Sequence, residues 1–273
     1  KTIRSRCYDL AICTNFAPRG AWLAFLAGIP QRIGYDIQQA KWFLTQATPA
    51  RHGKQYRLRT KQENLVIRHE TENQLDILEL LGISTNDTRM EIDLNPAHIE
   101  TMQTKLDLAA SRNRPIVLIC PLGSQEKKSW TISGTANFIK NISPKADCYL
   151  IGSAAQGDLL NKINATAGNL AKVLAGTLSL GELAAFIARA NLLVSVDTGP
   201  LHIAEALKTP VIALFGPHDP RIWGPREPKS KIFAVELDCS PCWHECANNR
   251  CMQEIDETAV IAAAADILEN TQT

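Results

Sequence analysis

Residues 191–215 read NLLVSVDTGPLHIAEALKTPVIALF, and this stretch decides the fold. Its apolar run at 192–196 predicts a buried strand, residues 200–207 predict a helix, and VIALF at 211–215 predicts a second strand. Two strands joined through a helix form the unit from which parallel sheets are built. The stretch therefore predicts an α/β fold.

The same alternation continues on both sides of this stretch. Further strands are predicted at 116–120, 148–152, 172–174 and 231–236, and helices at 131–142, 156–167, 179–190 and 256–269. The helix at 179–190 opens with Ser179 and Glu182 at capping-box spacing. Residues 115–255 are thus expected to form a complete doubly wound domain with a mostly parallel sheet.

The N-terminal part carries fewer such units. Strands are predicted at 8–14 and 31–35, helices at 21–28, 70–81 and 99–110, and a loop at 36–62. Polar, turn-rich residues at 84–98 and the linker SRNRP at 111–115 mark a change in composition. We therefore predict two domains, 1–112 and 113–273. The first is expected to be incomplete, and Lys1 as first residue favours a fragment or a processed chain.

Length and charge narrow the class of protein. The chain has 273 residues, enough for two ordinary domains, and its Lys plus Arg total of 29 nearly balances 28 Asp plus Glu. A net charge of +1 gives no general attraction to nucleic acid or to a membrane surface. No apolar stretch approaches the ~20 residues of a transmembrane helix, and no secretion signal is evident. We expect a cytoplasmic protein without a nucleic-acid partner.

The corner that follows strand 192–196 holds more polar groups than a turn requires. Pro200 suits the first turn of a helix, Gly199 allows a ligand to approach the backbone, and the helix N-terminus favours an anion. Thr198 and His202 add donors for phosphate oxygens. Asp197 would repel phosphate, so it is expected to orient loop amides or to bind a sugar hydroxyl. Alternatively, Asp197 or Thr198 caps the helix and His202 packs.

Two further loops are expected at the same edge of the sheet. PLGSQEKKSW at 121–130 offers Gly123, Ser124 and two lysines, which suit phosphate but also suit a solvated loop. FGPHDPRIWGP at 215–225 is stiff and chemically varied, and it either faces substrate or buries its tryptophan.

The motifs of several enzyme classes are missing from the sequence. There is no G-x-G-x-x-G, no G-x-x-x-x-G-K-[ST] and no G-x-S-x-G, which disfavours dinucleotide enzymes, P-loop ATPases and α/β-hydrolases. The D-x-D pair of many metal-dependent sugar transferases is missing too. Stabilisation of a diphosphate leaving group by a helix N-terminus, without a metal, agrees better with the two corners.

These motifs together resemble glycosyltransferase family 9, the heptosyltransferases of lipopolysaccharide core assembly. The resemblance rests on DTGPLHIAEALKTPVIALFGPHDPRIWGP at 197–225, on SLGELAAFIARANLLVSV before it, and on PLGSQEKKSW. RCYDLAI, LAGIPQRIGY and LDILELLGI in the N-terminal half are also similar to family elements. The resemblance covers nearly the whole chain.

The resemblance implies a GT-B fold, in which two Rossmann-like domains face a cleft. Residues 1–112 would be a partial acceptor-side domain and 113–273 the nucleotide-sugar-binding domain. The implied reaction is inverting transfer of heptose from ADP-heptose to the lipopolysaccharide inner core, a lipid A–linked oligosaccharide. The enzyme would need no cofactor, and it would be cytoplasmic, in peripheral contact with the inner membrane.

The resemblance also implies a set of donor-binding residues. Ser124 and Lys128 would hold the diphosphate, and Gln156 or Asp158 takes the place of a family acid that reaches the ribose. The implied set is Ser124, Lys128, Gln156, Asp197, Thr198, Gly199, Pro200, Leu201 and His202.

Two departures from the family stand out. Leu122 looks inserted in the family's P-G-A/S segment. The general base, an aspartate in an N-terminal glycine-containing loop, is expected upstream of Lys1. Because a positioned base contributes ~10²–10⁴-fold, the chain alone is expected to transfer poorly. A GT-B transferase with another nucleotide-sugar and a non-catalytic nucleotide-binding fragment are the alternatives.

The eight cysteines fall into two groups. Cys7, Cys13, Cys120 and Cys148 lie in or beside apolar segments and are expected in the core. The others form the cysteine segment, CSPCWHECANNRC, with Cys239, Cys242, Cys246 and Cys251. Their spacing is open to a zinc site, an iron–sulfur ligand set, two disulfides or free thiols. A reducing cytoplasm disfavours disulfides, and the segment is a candidate structural metal cluster outside catalysis.

Overall fold

A computed structural model describes residues 3–15, 17–37, 39–49, 67–109, 114–242, 246 and 248–270, although not the side chains of 106–109. These residues belong to two compact units, Lys1–Arg89 and Met90–Thr273. Within the described residues, no helix has both the length and the apolar character needed to cross a bilayer.

The first unit contains a three-stranded parallel sheet in the order β1-β2-β3. Its strands are β1 (Leu10–Cys13), β2 (Gln31–Tyr35) and β3 (Gln46–Thr48), and its helices are α1 (Arg19–Leu26) and α2 (Glu70–Asp76). A 3₁₀ turn, Ile77–Leu81, extends α2 as far as Gly82, whose φ of 72° is left-handed, so the predicted helix 70–81 changes its hydrogen bonding part-way.

The predicted loop at 36–62 is wrong in part. It contains β3 and a short 3₁₀ turn at Ala40–Trp42, while residues 50–62 lie outside the described residues. Strand β3 has only three residues, QAT, and shows no apolar alternation. Its backbone pairs with β2 in the register Ile33 to Gln46, so pairing with a neighbour creates a strand that the pattern did not indicate.

The second unit is built on a six-stranded sheet, entirely parallel, in the order β6-β5-β4-β7-β8-β9. The strands are β4 (Ile116–Cys120), β5 (Asp147–Gly152), β6 (Ala171–Ala175), β7 (Leu192–Val196), β8 (Val211–Phe215) and β9 (Lys231–Ala234). The predicted doubly wound sheet is thereby confirmed. The strand order reverses between β4 and β7, which is where ligands bind in sheets of this kind.

Helices cover both faces of this sheet, and the central strands β4, β7 and β8 are buried along their whole length. The helices are α3 (Pro96–Ala109), α4 (Ile132–Ile142), α5 (Gly157–Thr166), α6 (Leu180–Arg189), α7 (Gly199–Ala206), α8 (Pro220–Trp223), α9 (Arg250–Gln253) and α10 (Glu257–Asn270). Alternate strand residues enter two cores: Val117 packs with α4, α5 and α10, and Leu118 with α3, α6 and α7.

Helix α3 belongs to the second unit. Met102 is buried in the same core as α6, and Lys105 Nζ donates to Glu182 at 2.6 Å. Glu182 also completes the predicted capping box with Ser179 at the start of α6. The units therefore divide between Arg89 and Met90, upstream of the boundary that composition placed at 112/113.

Candidate functional site

Three loops leave the carboxyl edge of the second sheet beside the reversal of strand order. They follow β4, β7 and β8, which are neighbours in the sheet. Because the strands are parallel, their loops meet at one edge. We call the place where the β4 and β7 loops approach each other the switch corner; its central residues are Lys128 and Asp197, whose side chains are in contact.

Asp197 is the centre of a buried charge cluster. Its side chain is 9% exposed, and its Oδ2 accepts a hydrogen bond from Lys128 Nζ at 3.0 Å. His218 Nδ1 lies 2.5 Å from the same oxygen, and His202 Nε2 lies 3.8 Å from Oδ1. A carboxylate this deeply buried is stable only when cations and donors surround it. Here they come from three different loops or helix starts.

Electrostatics keep this carboxylate charged. Burial raises the pKa of Asp197, but the hydrogen bond from His218 and the charge of Lys128 outweigh it, so the pKa lies below its ordinary value. For His202, burial lowers the pKa more than Asp197 and Glu205 raise it. At neutral pH the corner therefore holds an ionised Asp197 and a neutral His202.

The conformation of the β4 loop places Lys128 beside Asp197. The backbone N–H of Trp130 donates to the carbonyl of Pro121 at 2.8 Å, which closes the loop. Gly123 donates to Ser129 Oγ at 3.1 Å, and a Cβ on Gly123 would lie 2.6 Å from Lys128 Cβ. Glycine is therefore required for the lysine stem to pass.

The start of α7 is partly open and partly built into the core. A Cβ at Gly199 would meet no atom within 4 Å, and Pro200 stands in the first turn as expected. Thr198 occupies the N-cap position without a side-chain cap; its hydroxyl lies 3.3 Å from the carbonyl of Val196 and 3.8 Å from Cys120 Sγ. That hydroxyl thus contacts β4 and β7.

The comparisons with known proteins agree with this architecture. The family model described as "Glycosyltransferase family 9 (heptosyltransferase)" matches residues 1–253. The chain belongs to glycosyltransferase family 9. Lipopolysaccharide heptosyltransferase 3 of Escherichia coli is 30% identical over 234 residues, 82% of this chain and 64% of that protein. The core heptosyltransferase OpsX of Haemophilus influenzae is 28% identical over 171 residues, 61% of this chain and 48% of OpsX.

Solved structures confirm the GT-B-type α/β fold of this family 9 chain. E. coli ADP-heptose lipopolysaccharide heptosyltransferase II superposes with a TM-score of 0.73 at 20% identity, covering all of this chain and 80% of that one. A family 9 transferase from Veillonella parvula gives 0.79 at 21% identity, covering 98% and 76%. The chain thus spans less than two thirds of the curated relatives above and about four fifths of the solved ones.

The predicted donor-binding residues of the family 9 chain lie in different surroundings. Lys128, Asp197 and His202 come together at the switch corner, as expected, and Ser124 is exposed in the same β4 loop. Leu201 has no exposed surface and packs in the core. The apparent insertion, Leu122, is explained in the same way, since its side chain is buried in the other core.

Gln156 has a partner within the protein. Its Oε1 accepts from the backbone N–H of Ser153 at 2.9 Å, and its Nε2 donates to the carbonyl of Gly123 at 3.1 Å. The side chain therefore ties the turn after β5 to the β4 loop, and its amide is occupied at both ends.

His218 is the residue that sequence reasoning left without a role. It was only one of several polar residues in the loop at 215–225. The neighbouring acid of that loop, Asp219, is buried and caps α8 by accepting from the N–H of Arg221 at 2.8 Å. The signal that could have found His218 was the adjacency of β7 and β8, which places the residue after β8 beside Asp197.

The cysteines of the family 9 chain are all free thiols. In the cysteine segment, Cys242 and Cys251 are buried and Cys239 and Cys246 exposed; across the described residues, no three His, Cys, Asp or Glu side chains are arranged to hold a metal ion. The candidate metal cluster stays a prediction.

Of the four cysteines expected in the core, Cys120 and Cys148 are buried and Cys13 is half-buried. Cys7 is exposed, contrary to expectation; it follows a 3₁₀ turn, Arg4–Arg6, that has no buried residue.

Proposed function

We propose that the switch corner binds the diphosphate of an ADP-heptose donor, and that the chain is the donor-binding part of an inverting heptosyltransferase of lipopolysaccharide core assembly. The observation that carries this proposal is the buried Lys128–Asp197 pair beside the N-terminus of α7, at the reversal of strand order.

The corner has the chemistry of an anion site. An ammonium group has three donors, so Lys128 can serve Asp197 and still donate to a phosphate oxygen. The N-terminus of α7 adds backbone N–H groups and the positive end of the helix dipole. The space beside Gly199 leaves that backbone open to a ligand. Lysine and helix together would stabilise the charge that develops on a departing diphosphate.

Asp197 is not proposed as the general base. Its Oδ2 is already engaged by Lys128 and His218, and its pKa is held low, whereas a base must reach and accept the acceptor's proton. The residue serves the corner by holding the side chains of Lys128 and His218. No residue of the switch corner is assigned the role of base.

The relatives support the choice of donor and acceptor. The proteins that match in sequence are heptosyltransferases of lipopolysaccharide or its core, and E. coli WaaC, solved with ADP, superposes with a TM-score of 0.66. We extend to this chain a lipid A–linked oligosaccharide acceptor and peripheral contact with the cytoplasmic face of the inner membrane. Co-sedimentation with vesicles that contain the acceptor lipid tests that contact; a chain that stays in the supernatant contradicts it.

Two lysines in the same loop give a matched test of the diphosphate site. Lys128→Met removes the ammonium that contacts Asp197, while Lys127→Met removes the neighbouring charge and keeps the side-chain volume similar. In calorimetric titrations with ADP we expect Lys128→Met to weaken binding about tenfold and Lys127→Met to leave it within about twofold. Equal affinities in the two variants would sink the assignment of Lys128.

The two alternative functions predict different experimental results. A transferase that uses another nucleotide-sugar would bind a UDP-sugar more tightly than ADP-heptose in the same calorimeter. A non-catalytic nucleotide-binding fragment would bind ADP-heptose but release no ADP when the acceptor is added.

A further inference from the structure

His218 contacts the same carboxylate oxygen as Lys128. Its Nδ1 lies 2.5 Å from Asp197 Oδ2, and Lys128 Nζ lies 3.0 Å from it. The His218 and Lys128 side chains are each 12% exposed, so solvent contributes little to the cluster. An ionised carboxylate only accepts hydrogen bonds, so Nδ1 carries the proton that is shared with Asp197.

The backbone around His218 is firmly held. The carbonyl of Pro217 accepts from the N–H of Cys242 at 2.7 Å, and the carbonyl of Gly216 accepts from Ser240 Oγ at 2.6 Å. A Cβ on Gly216 would lie 2.5 Å from Met252 Sδ, so the loop is packed closely against α9. The backbone from which the imidazole projects is therefore fixed in position.

The β4 loop holds the backbone of Lys128, whose N–H donates to the carbonyl of Gln125 at 3.0 Å, but the ammonium group lies at the end of a long side chain. Its side chain reaches Asp197 on a flexible four-carbon stem, and the three donors of the ammonium group can rotate. Its position depends on where the carboxylate lies. A carboxylate held by a rigid imidazole can fix the ammonium, whereas a carboxylate without that support can rotate and take the ammonium with it.

We propose that His218 is a positioning residue of the donor site: it holds the Asp197 carboxylate in the orientation that fixes the Lys128 ammonium for the diphosphate. This inference rests on the proposed function, because the diphosphate is the ligand for which Lys128 is positioned. His218 acts through Asp197 and Lys128, and contact with the donor is no part of its role.

Three variants separate this role from simple packing. His218→Ala removes the donor and the ring. His218→Phe keeps a ring without the donor, and His218→Asn places an amide N–H near the former Nδ1. In titrations with ADP, Ala and Phe are expected to weaken binding about tenfold, the effect of losing a hydrogen bond to a charged group, and Asn to stay within about twofold of the unchanged chain.

A double-mutant cycle shows whether His218 acts through Lys128. With Lys128→Met already present there is no ammonium left to position, so His218→Ala should then change ADP affinity by less than about twofold. Far-ultraviolet circular dichroism and thermal unfolding of each variant identify any that do not fold. Asn, which keeps an N–H donor, and Phe, which keeps a ring, then decide the question in place of Ala.

The outcomes distinguish this inference from the proposed function. If Lys128→Met weakens ADP binding but His218→Phe does not, the role of His218 is overturned and the donor site stands. If the two effects add fully in the cycle, His218 acts independently of Lys128 and the inference is also overturned. If the unchanged chain does not bind ADP, the proposed function fails, and the inference fails with it.

Discussion

Replacement of Asp197 by asparagine tests the buried charge cluster most severely. The side chain keeps its shape but loses the charge that Lys128 and His218 share, and its amide nitrogen cannot accept from either. Removing one partner of a buried ion pair typically costs about 3–5 kcal/mol. Because Lys128 retains a little exposure and can turn toward water, we expect Asp197→Asn to lower the free energy of unfolding by about 3 kcal/mol.

The matched control lies in the same unit. Asp266 pairs with Lys231 at 2.7 Å, but both side chains are well exposed, and exposed pairs contribute about 0–1 kcal/mol. Asp266→Asn should therefore leave the unfolding free energy almost unchanged. For a unit of this size, 1 kcal/mol corresponds to about 2–4 °C in Tm, so Asp197→Asn should lower the Tm by roughly 6–12 °C.

The stability lost in Asp197→Asn should depend on pH. The pKa of Asp197 is lower in the folded chain than its ordinary value, so folding with this group ionised is favoured above its unfolded pKa, about 4. That contribution is lost as the pH falls through the folded pKa. The stability difference between the unchanged chain and Asp197→Asn should therefore be full at pH 7 and shrink at strongly acidic pH. Urea unfolding at several pH values measures it. If Asp197→Asn and Asp266→Asn lose the same small stability at pH 7, the reasoning is refuted.

Two further predictions concern single positions. Gly123→Ala should cost about 1–3 kcal/mol of unfolding free energy, because the added Cβ would overlap Lys128. Gly199→Ala should cost less than about 1 kcal/mol, because its Cβ would meet no atom within 4 Å. Urea denaturation measures both, and equal losses would contradict the close approach at Gly123. Cys246 should react with iodoacetamide before the other cysteines, since backbone N–H groups lower its pKa, whereas burial raises that of Cys148 to about 12. Timed alkylation with peptide mass spectrometry checks the order, and faster labelling of Cys148 would contradict it.

The periodic part of the fold was predictable from the sequence. Strands 116–120, 192–196 and 211–215 have the bounds predicted, because strands buried on both faces leave nearly unbroken apolar runs. Strand 31–35 also has the bounds predicted, although its first two residues are polar. The capping box at Ser179 was predictable for a similarly local reason. Strand β3 was not, since an exposed three-residue strand exists only through its pairing with β2.

The candidate site was predictable in place but not in detail. Parallel strands bring their loops to one edge, so Lys128 and Asp197 were expected in one region. The contacts of Lys128 and His218 with Asp197 depend on side-chain directions, which the spacing of residues in the sequence does not define. The orientation of Thr198 toward β4 and the engagement of Gln156 by Gly123 are tertiary contacts of the same kind.

The measurement that tests the central claim most directly is a calorimetric titration of the chain with ADP-heptose, set beside UDP-glucose and repeated with Lys128→Met and Lys127→Met. The account predicts that ADP-heptose binds more tightly than UDP-glucose, that Lys128→Met weakens this binding about tenfold, and that Lys127→Met does not. Tighter binding of UDP-glucose, or affinity for ADP-heptose that survives Lys128→Met, would contradict it.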